Sequence, residues 1–146
     1  MAQDITFGFS LSNIETIQFA TFEENLQDNE PVQQTVSLGI GYNTQFQSLI
    51  ILTKASFEQN SLPFLVIESS CEYKINDDSW NNSKQDDGSF IIKRKNILQL
   101  ILVSMVTMRG ILHAKTENTA FNKYFLKSFN MTALHNEDYV IPSDII

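Results

Sequence analysis

Asn96-Ile97-Leu98-Gln99-Leu100-Ile101-Leu102-Val103-Ser104-Met105-Val106-Thr107-Met108-Arg109-Gly110-Ile111-Leu112-His113-Ala114 is the stretch on which the fold turns. Ile97, Leu98, Ile101, Leu102, Met105, Val106, Met108 and Leu112 recur at three- and four-residue intervals, the period of an α-helix. Leu100, Val103 and Ile111 fill the remaining face, and between Ile97 and Met108 the polar residues are Gln99, Ser104 and Thr107. A helix that is apolar all round is buried on more than one side or crosses a membrane. The apolar run falls short of the roughly 20 residues that a bilayer requires, and Arg109 follows it. The expectation is therefore a helix held between its own sheet and another subunit. Leu100, Val103, Ser104, Thr107 and Ile111 are the candidate interface residues, in a homo-oligomer that could be a dimer or a tetramer, since either would cover the helix.

Upstream of the helix the period changes to two. Val36, Leu38, Ile40 and Tyr42 alternate with Ser37, Gly39 and Gly41, which places all the bulk of a strand over 35–42 on one side. A second run, 47–58, sets Leu49, Ile51, Ala55 and Phe57 against Ile50, Leu52, Lys54 and Ser56, and its middle reads as buried on both sides. A third, 62–75, sets Leu65, Ile67, Cys71, Tyr73 and Ile75 against Phe64, Val66, Glu68 and Glu72, with Pro63 limiting its first residues to an edge or an entry position. Asn43-Thr44-Gln45 and Gln59-Asn60-Ser61 separate these runs. Parallel strands need a crossover of about a dozen residues, so connections this short require an antiparallel meander. Ile14, Ile17, Phe19 and Phe22 mark a weaker first strand within 14–23, giving four strands. Residues 76–88, rich in Asp, Asn and Ser around Trp80, read as a surface loop. The fold class is α+β: a four-stranded antiparallel meander, one long apolar helix, and an irregular C-terminal segment in a single domain, 1–146.

Composition bounds the function. The chain has 42% hydrophobic and 18% charged residues over 146 positions, which is globular and excludes disorder. Its formal net charge of −7 opposes a phosphate backbone, so no nucleic acid is expected, and Lys93-Arg94-Lys95 reads as solvated charge beside the helix. Met1-Ala2-Gln3-Asp4 carries no positive n-region, so the expected location is cytoplasmic, without membrane insertion. The glycosylation patterns Asn81-Asn82-Ser83 and Asn130-Met131-Thr132 then carry no weight. Cys71, the single cysteine, reads as a small buried hydrophobe. Asp77, Asp78, Asp86 and Asp87 lack the ligand spacing of a calcium loop, and no paired His or Cys suggests zinc, so no metal or cofactor is expected. No pattern ties His113 or His135 to Cys71 or a serine, and the chain is not expected to be an enzyme.

Beyond Gly110 a polar stretch, Lys115 to Thr119, leads into Phe121, Tyr124, Phe125, Leu126 and Phe129. Strand order and motif together resemble the SecB family of export chaperones. Asn96-Ile97-Leu98 opens the helix as in that family, Arg109-Gly110 stands near its end, and Phe129-Asn130 with Ala133-Leu134 is similar to the family's Asn-Phe-Asp-Ala-Leu ending. Phe64-Leu65 through Tyr73-Lys74-Ile75 resembles its last strand. The resemblance spans about 14–134. It implies a cofactor-free oligomer that holds unfolded or precursor polypeptides in an apolar groove between the sheet and the segment after the helix. In that groove Val32 takes the place of a Trp and Tyr73 that of an aromatic. Gln99 and Ile101 replace two aromatics at the helix start, and Phe121, Tyr124 and Phe125 are further peptide-binding candidates. The Pro-marked helix start of the family is missing, and the chain stops at Ile146 without the C-terminal helix and tail that engage the SecA motor, so coupling to SecA is not expected. The alternative is a SecB-like adaptor with one dedicated client, such as an antitoxin, or an oligomeric binding protein without general chaperone activity.

Overall fold

A computed structural model of the protein describes residues 6–127 and 134–143. Phe129, Asn130 and Ala133 of the resemblance, Met1 to Asp4 and the 130–132 glycosylation pattern lie outside them. The order of elements is β1 (Phe9–Thr21), β2 (Gln33–Asn43), β3 (Ser48–Gln59), β4 (Leu62–Ile75), α1 (Asp77–Ser83), β5 (Phe90–Ile92), α2 (Arg94–Thr116) and β6 (Tyr139–Ile141). The first four strands form one antiparallel sheet in the order β1-β4-β3-β2. Strands β2, β3 and β4 are the meander that their short connections require. Strand β1 joins it beside β4 rather than beside β2, so the 22–32 connection carries the backbone from one edge of the sheet to the other. A single 3-10 turn, Glu23–Asn25, begins that crossing, and Asn25 Nδ2 fastens it by donating to the Pro63 carbonyl at 2.8 Å.

Directly opposed residues of antiparallel strands project to the same side. Leu49 pairs with Tyr73, Ile51 with Cys71, Thr53 with Ser69 and Ala55 with Ile67, and all eight are buried. Helix α2 lies across this side, over β3 and β4. Its Ile97, Leu100, Ile101, Ser104, Met105, Met108 and Leu112 are fully buried against the sheet. The other side of β3 is more open than its sequence pattern suggests, with Leu52 37% exposed, because no element covers it among the described residues. Length and composition alone would let the 23-residue helix cross a bilayer, in contrast to the shorter run read from sequence. Here its sheet-facing stripe is taken up by the protein's own core. Cys71 is buried as a small hydrophobe.

One polar contact sets how the helix seats. The Tyr73 hydroxyl lies 2.7 Å from Ser104 Oγ and 3.2 Å from the Leu100 carbonyl, while Ser104 Oγ donates to that same carbonyl at 2.8 Å. Burial raises the Tyr73 phenol far above its ordinary range, and the Ser104 hydrogen bond opposes the shift without reversing it. Above about pH 10 the unfolded protein loses this proton and the folded protein keeps it, so this group's contribution to stability falls as pH rises. Tyr73→Phe is expected to cost about 1 kcal/mol at neutral pH and to flatten the alkaline decline, measured by urea unfolding across pH.

Helix α1 replaces part of the 76–88 stretch that composition reads as a surface loop, and two short strands, β5 and β6, lie outside it. Helix α1 buries Trp80 against Phe90, with ring centroids 4.4 Å apart. Strands β5 and β6 pair, and Asp138, just before β6, accepts the Arg94 backbone N–H at 2.8 Å. Lys93, at the N-cap of α2, supplies no side-chain cap, so a carboxylate from a distant segment takes that role at the positive end of the helix. Asp138→Ala is expected to cost about 0.5–2 kcal/mol, measurable as a lowered urea midpoint with an unchanged slope.

Candidate functional site

The apolar side of the sheet is only partly covered by α2. In β1, Leu11 pairs with Tyr73 and Ile14 with Cys71, so both side chains project to the helix side. Yet Leu11 is 42% and Ile14 45% exposed, because the helix rests over β3 and β4. Ile17, 49% exposed, sits in a register shift between Thr16 and Gln18, and a second shift lies between Leu11 and Asn13. Such bulges bend an edge strand and blunt its pairing with other polypeptides. The result is a 13-residue edge strand with a line of exposed aliphatic side chains.

The second uncovered surface is the outer side of α2. Leu102 and Val106, one turn apart, are about half exposed, and Leu98, Val103, Thr107 and Ile111 flank them half-buried. Gly110 continues this side, and a Cβ built there meets nothing within 4 Å. A glycine inside a helix costs about 1 kcal/mol relative to alanine, and no contact with a described residue calls for it.

Beyond the helix the backbone turns at Asn118, whose φ of 63° lies in the left-handed region that asparagine tolerates. Asn122 Nδ2 then donates to the His113 carbonyl and to Thr116 Oγ1, both at 3.2 Å, tying the returning segment to the helix end. That segment carries Phe121 and Tyr124 onto Phe64, with centroids 6.4 and 4.8 Å away, and Tyr124 onto Phe57 at 6.2 Å. It reaches β2, where Gln34 Oε1 accepts the Lys127 N–H at 3.1 Å.

The residues singled out from sequence separate into two groups. Val32, Gln99 and Phe125 are exposed. Tyr73, under α2, and Ile101, on the sheet-facing stripe of α2, are fully buried, and Phe121 is buried with Tyr124 half-buried in the aromatic cluster. The structure therefore brings Phe121 and Tyr124 together and leaves Val32, Gln99 and Phe125 apart from Tyr73. On the helix, Val103, Thr107 and Ile111 border the outer side. Leu100 and Ser104 point the other way, into the chain's own sheet, because they lie on the stripe that contacts Tyr73. Leu102 and Val106, absent from the sequence-based interface set, are the most exposed aliphatics of α2. The signal for them is a helical wheel centred on Ser104, which places both away from the Leu100–Ser104 stripe. Leu11, Ile14 and Ile17 were readable as apolar but not as uncovered.

No family model matches the sequence, and no curated protein matches it. Among solved structures, the chain is similar to the Mycobacterium tuberculosis Rv1957 SecB-like chaperone, solved in complex with a ChAD peptide from the Rv1956 HigA1 antitoxin. The match has a TM-score of 0.51 at 7% identity and covers 83% of this chain and 90% of that one. A Streptococcus agalactiae protein of unknown function aligns over 86% of this chain and all of its own, with a TM-score of 0.41 and 11% identity. The four-stranded antiparallel sheet crossed by one long apolar helix is thus a SecB-like fold.

Proposed function

We propose that this protein is a SecB-like chaperone that holds non-native polypeptide segments without enzymatic chemistry or a cofactor. The observation that carries this reading is the incomplete cover of the apolar side: Leu11 and Ile14 are exposed on it along an edge strand. An exposed apolar strip binds any segment that gains by leaving water, because the hydrophobic term is non-directional. The outer side of α2 is assigned to a second copy of the protein, in a cytoplasmic homo-oligomer of two or four subunits. A role in protein export is part of the same reading, without coupling to SecA.

A second reading, one dedicated client rather than many, is favoured by a specific observation. The aromatics that would broaden a groove are already used, with Tyr73 under α2 and Phe121 and Tyr124 against Phe57 and Phe64. The antitoxin peptide held by the M. tuberculosis structure is consistent with such a client.

Suppression of aggregation, followed by light scattering for several unrelated unfolded proteins at stoichiometric chaperone, tests the proposal. General holding activity protects most of them, and Leu11→Ser with Ile14→Ser removes that protection. If none is protected, general holding is refuted. The dedicated-client reading then requires that one co-expressed partner be stabilised by the wild-type protein and not by the same double variant.

A further inference from the structure

The side of the sheet away from α2 holds a cavity of about 570 Å³ where the β2–β3 turn curls over the end of β4. Its position follows from register: Ser48 pairs with Lys74 and Ile50 with Glu72, alternating with the Leu49–Tyr73 pair that faces the helix. The turn that walls it is pinned rather than loose. Gln47, at φ 51°, donates from Nε2 to Asp77 Oδ1 at 2.9 Å and accepts the Ile75 N–H on its carbonyl at 2.8 Å. Asn43 Oδ1 accepts the Phe46 N–H at 3.2 Å, closing the turn from its other end. This holds Phe46 at the rim, 61% exposed, the most open large hydrophobic residue among those described.

The charged groups of the cavity are of both signs. Glu72 is oriented by Ser48, whose Oγ donates to Oε2 at 2.8 Å, and Asp77 by Gln47. Each carboxylate keeps its other oxygen out of these bonds. Lys74 lines the same space, yet none of the three makes an ion pair with a described residue. An aromatic ring at the rim, two oriented carboxylates and an ammonium are the elements that hold a ligand carrying a cation, an anion and an apolar body. The volume lies within the roughly 300–1,000 Å³ of small-molecule sites.

We infer that this cavity binds a small zwitterion, an amino acid with an apolar or aromatic side chain. Glu72 and Asp77 receive the ammonium group, Lys74 the carboxylate, and Phe46 packs on the side chain. The site lies on the opposite side of the sheet from Leu11 and Ile14, so it stands or falls independently of holding activity.

Calorimetric titration of the full-length protein with L-phenylalanine tests this. Binding is expected, with L-phenylalanine amide and N-acetyl-L-phenylalanine each about tenfold or more weaker, the loss of about 1.4 kcal/mol that one charged contact represents. Phe46→Ala and Lys74→Gln are expected to weaken L-phenylalanine by a similar factor, while Lys54→Gln, on the same side of the sheet but outside the cavity, leaves it unchanged. Phe46 and Lys74 are exposed, and an unaltered thermal transition verifies that each variant is folded. Absence of binding by phenylalanine, leucine and methionine overturns the inference. So does N-acetyl-L-phenylalanine binding as tightly as the free amino acid, which would make the ligand the carboxyl terminus of a polypeptide, or binding insensitive to Phe46→Ala and Lys74→Gln.

Discussion

Phe64→Ala is expected to lower the stability of the folded protein by about 3–5 kcal/mol, the usual cost of removing a buried phenyl ring. Phe64 has no exposed surface and stands at the centre of a cluster with Phe57, Phe121 and Tyr124. Two effects add in this substitution. The first is the cavity itself, left at the irregularity where Phe64 is the unpaired residue between Pro63 and Leu65. The second is the loss of the surface on which the segment after α2 is seated, since Phe121 and Tyr124 both rest on that ring. Chemical denaturation measures the total. Limited proteolysis separates the parts, because cleavage between Lys115 and Lys127 should accelerate before the sheet itself becomes susceptible. Val66→Ala removes a less enclosed side chain from a strand position that carries no such segment. It should cost markedly less and leave the proteolytic pattern unchanged.

The second large effect concerns association. Leu102→Glu combined with Val106→Lys is expected to convert the proposed homo-oligomer to monomer, a change of molecular mass that light scattering reads directly. The pair is chosen so that the helix is not the variable. Glu followed four residues later by Lys supports an isolated helix by about 0.2–0.5 kcal/mol, and both positions are about half exposed in the single subunit. Retained helical circular dichroism with a reduced mass is the expected outcome. If the wild-type protein is itself monomeric at micromolar concentration, the assignment of the outer side of α2 to a second copy fails.

The parts of this fold that were legible in the sequence are those where one residue pattern had one physical solution. Strand β4 runs over the same Leu62–Ile75 span that its alternation marks. The polar connections 43–45 and 59–61 left an antiparallel meander as the available geometry. Strand β1 was harder to read. Its bulges interrupt the two-residue period, so Leu11, Ile14, Ile17 and Phe19 follow neither a strand nor a helix rhythm, and its start at Phe9 was obscured. Helix α1 is built from Asp, Ser and Asn around Trp80, and what makes it a structural element is the burial of that indole on Phe90, a contact between separate segments. Strands β5 and β6 have three residues each, too few to show any period.

The candidate site was legible in kind and not in detail. That α2 carries more apolar surface than one sheet can cover followed from composition. Which residues face outward depended on the seating of Ser104 on the Tyr73 hydroxyl, a long-range hydrogen bond with no local sequence mark. Tyr73 shares its face with Ile67 and Cys71, and that alternation favours the core over a groove, in agreement with its burial.

The order β1-β4-β3-β2 bears on the sequence in which the sheet is assembled and dismantled. Pairing β2 with β3, and β3 with β4, closes only tight turns, whereas pairing β1 with β4 must close a loop that contains the whole meander, and such long-range closure is slow. Strand β1 is therefore expected to dock last and leave first. Its amides should exchange with deuterium well ahead of those in β3 and β4, in a partial opening that leaves the meander intact. While β1 is away, the main-chain groups of β4 that paired with it stand unpaired, so the open edge of the sheet moves inward by one strand.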